Sequence, residues 1–283
     1  MRAVLLSLSL VLSGLACAAK PATSSAPTAP PPTNVPAQTG PLTEEQFKAL
    51  HALPGAAPAG RAGEAMNLAD GTRAYLSLPP GPGPHPGIVV IHEWWGLNAH
   101  IELWADRLAS AGWAAIAVDL YGGTVATDRD AAMAAMKAVD PARALATLDA
   151  ALATLELDRR VQAPVRAVIG WCFGGGYALQ AAQKFPELDG AIMFYGHFEP
   201  DPAKLAPIQA RVLGIFGDRD QGIPTAEVDK LDAALKAAGV TAEILHYDAE
   251  HGFANPSNPK YDEVNASAAW ARVLAFLEQL RKP

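Results

Sequence analysis

Val165-Arg166-Ala167-Val168-Ile169-Gly170-Trp171-Cys172-Phe173-Gly174-Gly175-Gly176 is the stretch that decides the fold. Its apolar run reads as a short buried strand, Cys172 stands at the apex of a sharp turn, and the glycines open a helix running on through Tyr177 to Phe185. This is a G-x-nucleophile-x-G elbow with Cys in place of the commoner Ser. The turn lifts the sulfur clear of the sheet, and the glycines let strand and helix backbones approach where a Cβ would clash. An isolated cysteine beside a tight turn is often just a packed core residue. The flanking sequence has to decide between the two.

Outward from the elbow, strands and helices alternate. The run Gly87-Ile88-Val89-Val90-Ile91 is continuously apolar, the mark of a strand buried on both faces. Further strands are predicted at 73–78, 113–118, 190–194, 211–216 and 242–247. Ile101, Trp104 and Leu108 recur at helical spacing before Gly112. Helices are also predicted at 131–139, at 141–157 with Asp140 as N-cap, at 225–238 and at 261–280. Such alternation implies βαβ units and an α/β fold: a three-layer, mostly parallel central sheet with helices on both faces. The site of such a sheet lies at the carboxyl ends of its strands.

Composition narrows the function classes. The 283 residues carry a net charge of −7 and no Lys/Arg run, which argues against a nucleic-acid binder. His92-Glu93-Trp94-Trp95-Gly96 begins like a zincin H-E-x-x-H but has Gly96 where the second ligand belongs, so no metal site is expected, and no cofactor is implied.

Residues 1–19 read as a signal peptide: Arg2, an apolar run too short to span a bilayer, then the small-residue site Ala16-Cys17-Ala18. Leu15-Ala16-Cys17 also resembles the end of a bacterial lipobox, whose Cys17 would carry a lipid. The protein is therefore expected to be exported, either periplasmic or lipid-anchored to the membrane facing the periplasm. Residues 20–60 form a Pro/Ala-rich tether with a short helix starting near Thr43, and 61–283 the folded domain. One of only two Cys lies in the leader, so the mature domain carries a single thiol and no internal disulfide. A monomer is the default expectation.

A thiol nucleophile needs a base, and the base needs an orienting acid. After Cys172 the acids Asp218 and Asp220 follow the strand at 211–216, and His251 follows the strand at 242–247. That is the order nucleophile, acid, base found in hydrolases built on this elbow. His251 is the base, and either Asp is the acid. Oxyanion donors in this architecture come from the loop after the 87–91 strand and from the residue after the nucleophile, which nominates the amides of Trp94 and Phe173. Glu93 adds a second acid on the same rim, expected to act on the thiol as a gate or base. Trp95, Tyr121, Tyr195, His197 and Phe253 lie on strand-end loops and are candidates for an aromatic substrate pocket.

Ile91-His92-Glu93-x-x-Gly96, Asp119-Leu120-Tyr121-Gly122-Gly123, Gly170-x-Cys172-x-Gly174-Gly175, Asp220 four residues before Pro224, and His251-Gly252-Phe253 together resemble the dienelactone hydrolase family. The resemblance runs from about Arg61 to the C-terminus. It implies an α/β-hydrolase fold with a Cys172–Asp220–His251 triad, Asp220 being the acid because it keeps the spacing to Pro224. It also implies that Glu93 holds the thiol neutral until substrate displaces it. Asn255 and His92 depart from the dienelactone-cleaving relatives, which have Arg and a neutral polar residue there. The resulting expectation is a carboxymethylenebutenolidase-like hydrolase of a small ester, lactone or thioester working through an acyl-cysteine. A ligand-binding lipoprotein without catalysis and an acyltransferase are the alternatives.

Overall fold

The computed structural model describes residues 41–51 and 62–282; the leader, Cys17 and most of the tether lie outside the described residues. Gly87–Ile91 (β3) is fully buried along its length and sits near the middle of an eight-stranded sheet. Its neighbours are Ala114–Val118 (β4) on one side and Arg166–Trp171 (β5) on the other, both parallel to it. Gly190–Phe194 (β6), Arg211–Gly217 (β7) and Ala242–Tyr247 (β8) extend the parallel sheet beyond β5. Glu64–Asn67 (β1) and Arg73–Ser77 (β2) complete the other edge as an antiparallel pair, giving the order β1-β2-β4-β3-β5-β6-β7-β8.

Ile88 and Val90 pack into one apolar layer and Val89 and Ile91 into the other, which explains why this run shows no alternation. One layer is closed by Pro141–Leu157 (α4), Phe173–Lys184 (α5) and Thr225–Ala237 (α7), the other by Ala99–Ser110 (α2) and Glu263–Leu280 (α8). Chain connections run outward in opposite directions from β3 and β5. This is the topological switch point at which a crevice opens beyond the strand ends.

Glu44–His51 (α1), the helix expected within the tether, is docked on the α2/α8 layer. Its Phe47 is fully buried there, and Glu44 forms a 2.9 Å ion pair with the wholly buried Arg107 of α2. By contrast Arg129–Ala138 (α3) is fastened by a single residue, since Ala132 alone of its ten residues is buried. Two short elements have no counterpart in the sequence prediction, β1 and Pro202–Leu205 (α6). Both are four residues long, and β1 is almost entirely exposed, so neither leaves an apolar period to read.

Candidate active site

Three backbones converge at the elbow. A Cβ on Gly170 would lie 2.2 Å from the Gly174 carbonyl oxygen, and one on Gly174 would lie 2.3 Å from that of Ile91 in β3. Only glycine fits at either place, and the closeness seats the start of α5 against the end of β3. Between them Cys172 adopts φ +53° and ψ −113°, a left-handed backbone that costs a non-glycine residue about 1–3 kcal/mol. The Cys172 amide donates to the Phe194 carbonyl (3.0 Å), which pins the apex to β6. The thiol is free and half-buried.

His251 is presented from the loop after β8. Its Nδ1 lies 2.6 Å from Asp220 Oδ2, leaving Nε2 for the sulfur of Cys172. Asp220 is buried at the end of β7, and its other oxygen accepts from the amides of Gly222 (2.8 Å) and Ile223 (3.2 Å). Burial alone would raise the Asp220 carboxyl; His251 and the two amides outweigh it and hold the group below its ordinary value. Asp218 is engaged elsewhere, with His246 (2.9 Å) and Thr225 (3.0 Å). The structure thus brings Cys172, Asp220 and His251 together and leaves Asp218 apart.

Burial disfavours the charged His251 ring, but its bond to Asp220 and its interaction with Cys172 prevail and push its pKa from 6.5 to about 10. The folded protein therefore binds this proton more tightly than the unfolded chain does. The resulting stabilisation is full below pH 6.5 and fades as pH rises through about 10. The difference in Tm between wild type and His251→Gln should accordingly be wide at pH 5.5–6.5 and close as the pH approaches 10. Melting curves in which the gap widens over that range would contradict the assignment.

Phe173 is the first residue of α5, so its N–H has no acceptor within the helix, and the Trp94 amide donates to no acceptor among the described residues. Both are available to a ligand. Beneath them His92 is completely buried, with Nδ1 donating to the Glu93 carbonyl (2.5 Å) and Nε2 accepting from the Leu120 amide (3.2 Å). Its ring stacks on Phe173 at 5.5 Å. Burial depresses its pKa to about 4, so the ring is neutral and both nitrogens are occupied. It braces the loop after β3 against Leu120, and neither nitrogen is left for a metal.

Glu93 is buried beside His251, and burial raises its carboxyl pKa against the opposing pull of Asn255, His251 and Tyr195. Its Oε2 accepts from Asn255 Nδ2 at 2.5 Å and its Oε1 from the Tyr195 hydroxyl at 3.4 Å. No hydrogen bond joins Glu93 to Cys172, which differs from the contact that the family resemblance implies. Asn255 drew notice in the sequence only as a substitution. Its pairing with a residue 162 positions away becomes visible only in the fold.

Cys172 and His251 open into a cavity of about 780 Å³. Trp94 and Trp95, with ring centroids 4.9 Å apart, form one wall, and residues Asn255 to Lys260 form another. Of the five residues nominated for an aromatic pocket, only Trp95 lines this cavity. Tyr195 and Phe253 are buried and do not line it; Tyr195 lies 4.9 Å from the His251 ring and 5.8 Å from that of Phe253. Tyr121 lines a neighbouring cavity of about 440 Å³, and His197 is exposed elsewhere. Strand-end position alone does not distinguish a loop side chain pointing into the crevice from one folded beneath it. The sequence reading also missed Asn98, which caps α2, and Arg129, which lies 5.9 Å over the Trp94 ring at the mouth.

Known proteins resemble this chain in sequence and in fold. The model of the dienelactone hydrolase family matches residues 72–281. A Methylorubrum extorquens protein provisionally named carboxymethylenebutenolidase is 30% identical over 221 residues, covering 73% of this chain and 76% of the relative. Among solved structures, a provisionally named dienelactone hydrolase from Klebsiella pneumoniae superposes with a TM-score of 0.71 at 30% identity, covering 77% of this chain and 98% of the other. The dienelactone hydrolase-like promiscuous phosphotriesterase P91, from metagenomic libraries, gives 0.71 at 26% identity, with the same coverage of both chains. With an α/β-hydrolase sheet, a glycine-lined strand–turn–helix elbow at its switch point and a family match over most of its length, the chain belongs to the dienelactone hydrolase family.

Proposed function

We propose that the chain cleaves a small ester, lactone or thioester through an acyl-cysteine intermediate, using Cys172, His251 and Asp220. Family membership makes it an ester or lactone hydrolase; the observation that supports the finer mechanism is His251 set between Asp220, at 2.6 Å, and Cys172 on the floor of the pocket. The Cys172 sulfur attacks the substrate carbonyl carbon, and the carbonyl oxygen takes the negative charge facing the Trp94 and Phe173 amides. His251 gives its proton to the leaving oxygen or sulfur as that bond breaks. It then takes a proton from water, whose oxygen attacks the thioester carbon. Collapse of the second tetrahedral intermediate returns the sulfur to His251 and releases the acid. Asp220 holds the ring in one orientation and favours its charged form throughout.

The intermediate is directly measurable. A slowly deacylating aryl ester, quenched in acid within the first turnover, should add one acyl mass to the peptide containing Cys172, with a stoichiometric burst of the phenol. Turnover with neither burst nor adduct would argue for direct attack by water. A phosphotriester belongs in the substrate panel, given the activity named for P91. The proposal that this hydrolase works outside the cytoplasm rests on the sequence of residues 1–19 and on Cys17. Intact mass of the protein from its native host tests it: a chain that keeps residues 1–19 would overturn export, and a mature chain starting at Lys20 with no acyl mass rules out the anchor alone.

A further inference from the structure

We propose that α1 is a working part of the pocket: through the hydrogen bond between Tyr261 and Glu44 it sets where the 255–260 wall stands, which makes Tyr261 a positioning residue for substrate binding. The proposal rests on the reading of this cavity as the place where substrate meets Cys172.

The 255–260 segment joins the His251 loop to α8 and belongs to no helix or strand. Its backbone closes only short turns: the Asn258 amide donates to the Asn255 carbonyl (2.9 Å) and the Tyr261 amide to the Asn258 carbonyl (3.0 Å). The Asp262 amide donates to the Phe253 carbonyl (3.0 Å) and closes the neck of the loop. Its lean toward or away from Trp94 is left to side-chain ties. At one end Asn255 donates to the buried Glu93. At the other stands Tyr261, one residue beyond Lys260, where the cavity lining stops. The Tyr261 hydroxyl donates to Glu44 Oε1, while Glu44 Oε2 is paired at 2.9 Å with the wholly buried Arg107. Glu44 is thereby fixed from the core side. Lys48, one turn further along α1 and on the same face, pairs with Glu263 (2.5 Å) and lies 5.6 Å over the Tyr261 ring.

The match to the family begins at residue 72, so this brace comes from a part of the chain that the family model does not cover. Its strength follows from its chemistry. Burial and the adjacent Glu44 carboxylate push the Tyr261 pKa up, so the phenol keeps its proton and remains the donor. A hydrogen bond to an ionised acceptor is about twice as strong as one between neutral groups. The other tie at this end of the wall, between Lys260 and Glu250, is exposed on both sides and contributes little. A wall free to lean outward would widen the gap to Trp94 and Trp95 and weaken its hold on substrate in the ground state and the transition state alike. A loss of that kind raises KM and leaves kcat in place.

Tyr261→Phe tests this in the full-length protein, because it deletes only the hydroxyl and leaves Glu44 paired with Arg107. With p-nitrophenyl butyrate as substrate, KM should rise about fivefold while kcat stays within about twofold. The Asn258, Lys260 and Tyr261 amides, all hydrogen-bonded within the wall, should exchange with deuterium about tenfold faster. In a Glu44→Leu/Arg107→Leu background, which has no acceptor for the phenol, KM should already be raised and Tyr261→Phe should change it by less than about 1.5-fold. A wild-type KM in Tyr261→Phe would overturn the proposal, whether or not exchange quickens. So would a raised KM without faster exchange, since the wall would not have loosened. A rise that recurs in full in the Glu44→Leu/Arg107→Leu background would also overturn it, because the coupling would not run through α1. Turnover surviving Cys172→Ala would instead remove the proposed mechanism and leave this test standing, which tells the two failures apart.

Discussion

Cys172→Ala is expected to abolish turnover of a small aryl ester, lowering kcat/KM by about 10⁴-fold or more, the scale seen when one member of a concerted nucleophile–base unit is removed. The elbow backbone should survive the change, since φ +53° and ψ −113° are imposed by the convergence of β3, β5 and α5 and the alanine Cβ occupies the same place. Substrate should still bind between Trp94 and the 255–260 loop, so KM should change far less than kcat. Cys172→Ser should be nearly as poor, because a hydroxyl at its ordinary pKa needs stronger base assistance than a thiol. Steady-state rates measured on variants with unchanged melting temperature decide the matter. Activity within tenfold of wild type in Cys172→Ala would sink the acyl-cysteine mechanism.

The largest effect on stability is expected far from the pocket. Arg107 is wholly buried, and its guanidinium lies 4.3, 5.1 and 4.1 Å from the rings of Phe47, Trp104 and Trp270. Burial lowers its pKa and Glu44 works against that, yet a guanidinium stays charged at any physiological pH. Only Nη2 finds an oxygen, that of Glu44; Nε and Nη1 have no acceptor among the described residues and face the aromatic cage. The other Glu44 oxygen accepts from the Tyr261 hydroxyl. Glu44→Ala removes the carboxylate that pairs with Arg107 and should cost about 3–5 kcal/mol, the penalty for stranding a buried ion. For a domain of this size that is a fall in Tm of about 10 °C. Replacing both partners, in Glu44→Leu/Arg107→Leu, should recover most of the loss, because no charge is then left buried. A fall of under 2 °C for Glu44→Ala would show that the aromatic faces suffice alone.

These two results draw on unequal amounts of sequence information. The elbow, Asp220 and His251 were legible because each lies within a few residues of the end of a parallel strand, and such a sheet brings successive strand ends to one rim. Asp220 was separable from Asp218 only by its spacing to Pro224; in space they part because Asp218 turns to His246. The docking of α1 was not legible. Eight residues between Pro- and Ala-rich flanks offer a single aromatic residue, Phe47, and nothing local announces that Glu44 meets Arg107, 63 positions away. The setting of Glu93 was hidden for the same reason. Long-range polar pairs leave no period, and the resemblance pointed Glu93 at the thiol where the fold gives it to Asn255.

The single-alanine anchorage of α3 has an evolutionary side. This helix brings Arg129 to the mouth of the pocket while committing only Ala132 to the interior. Surface substitutions away from packed or capped positions typically shift stability by about 0.5 kcal/mol or less. A lineage can therefore vary most of α3, Arg129 at the pocket mouth included, at little risk to folding. Sequence change has a cheap address in this fold, and it is separate from the packed strand ends that carry Cys172, Asp220 and His251.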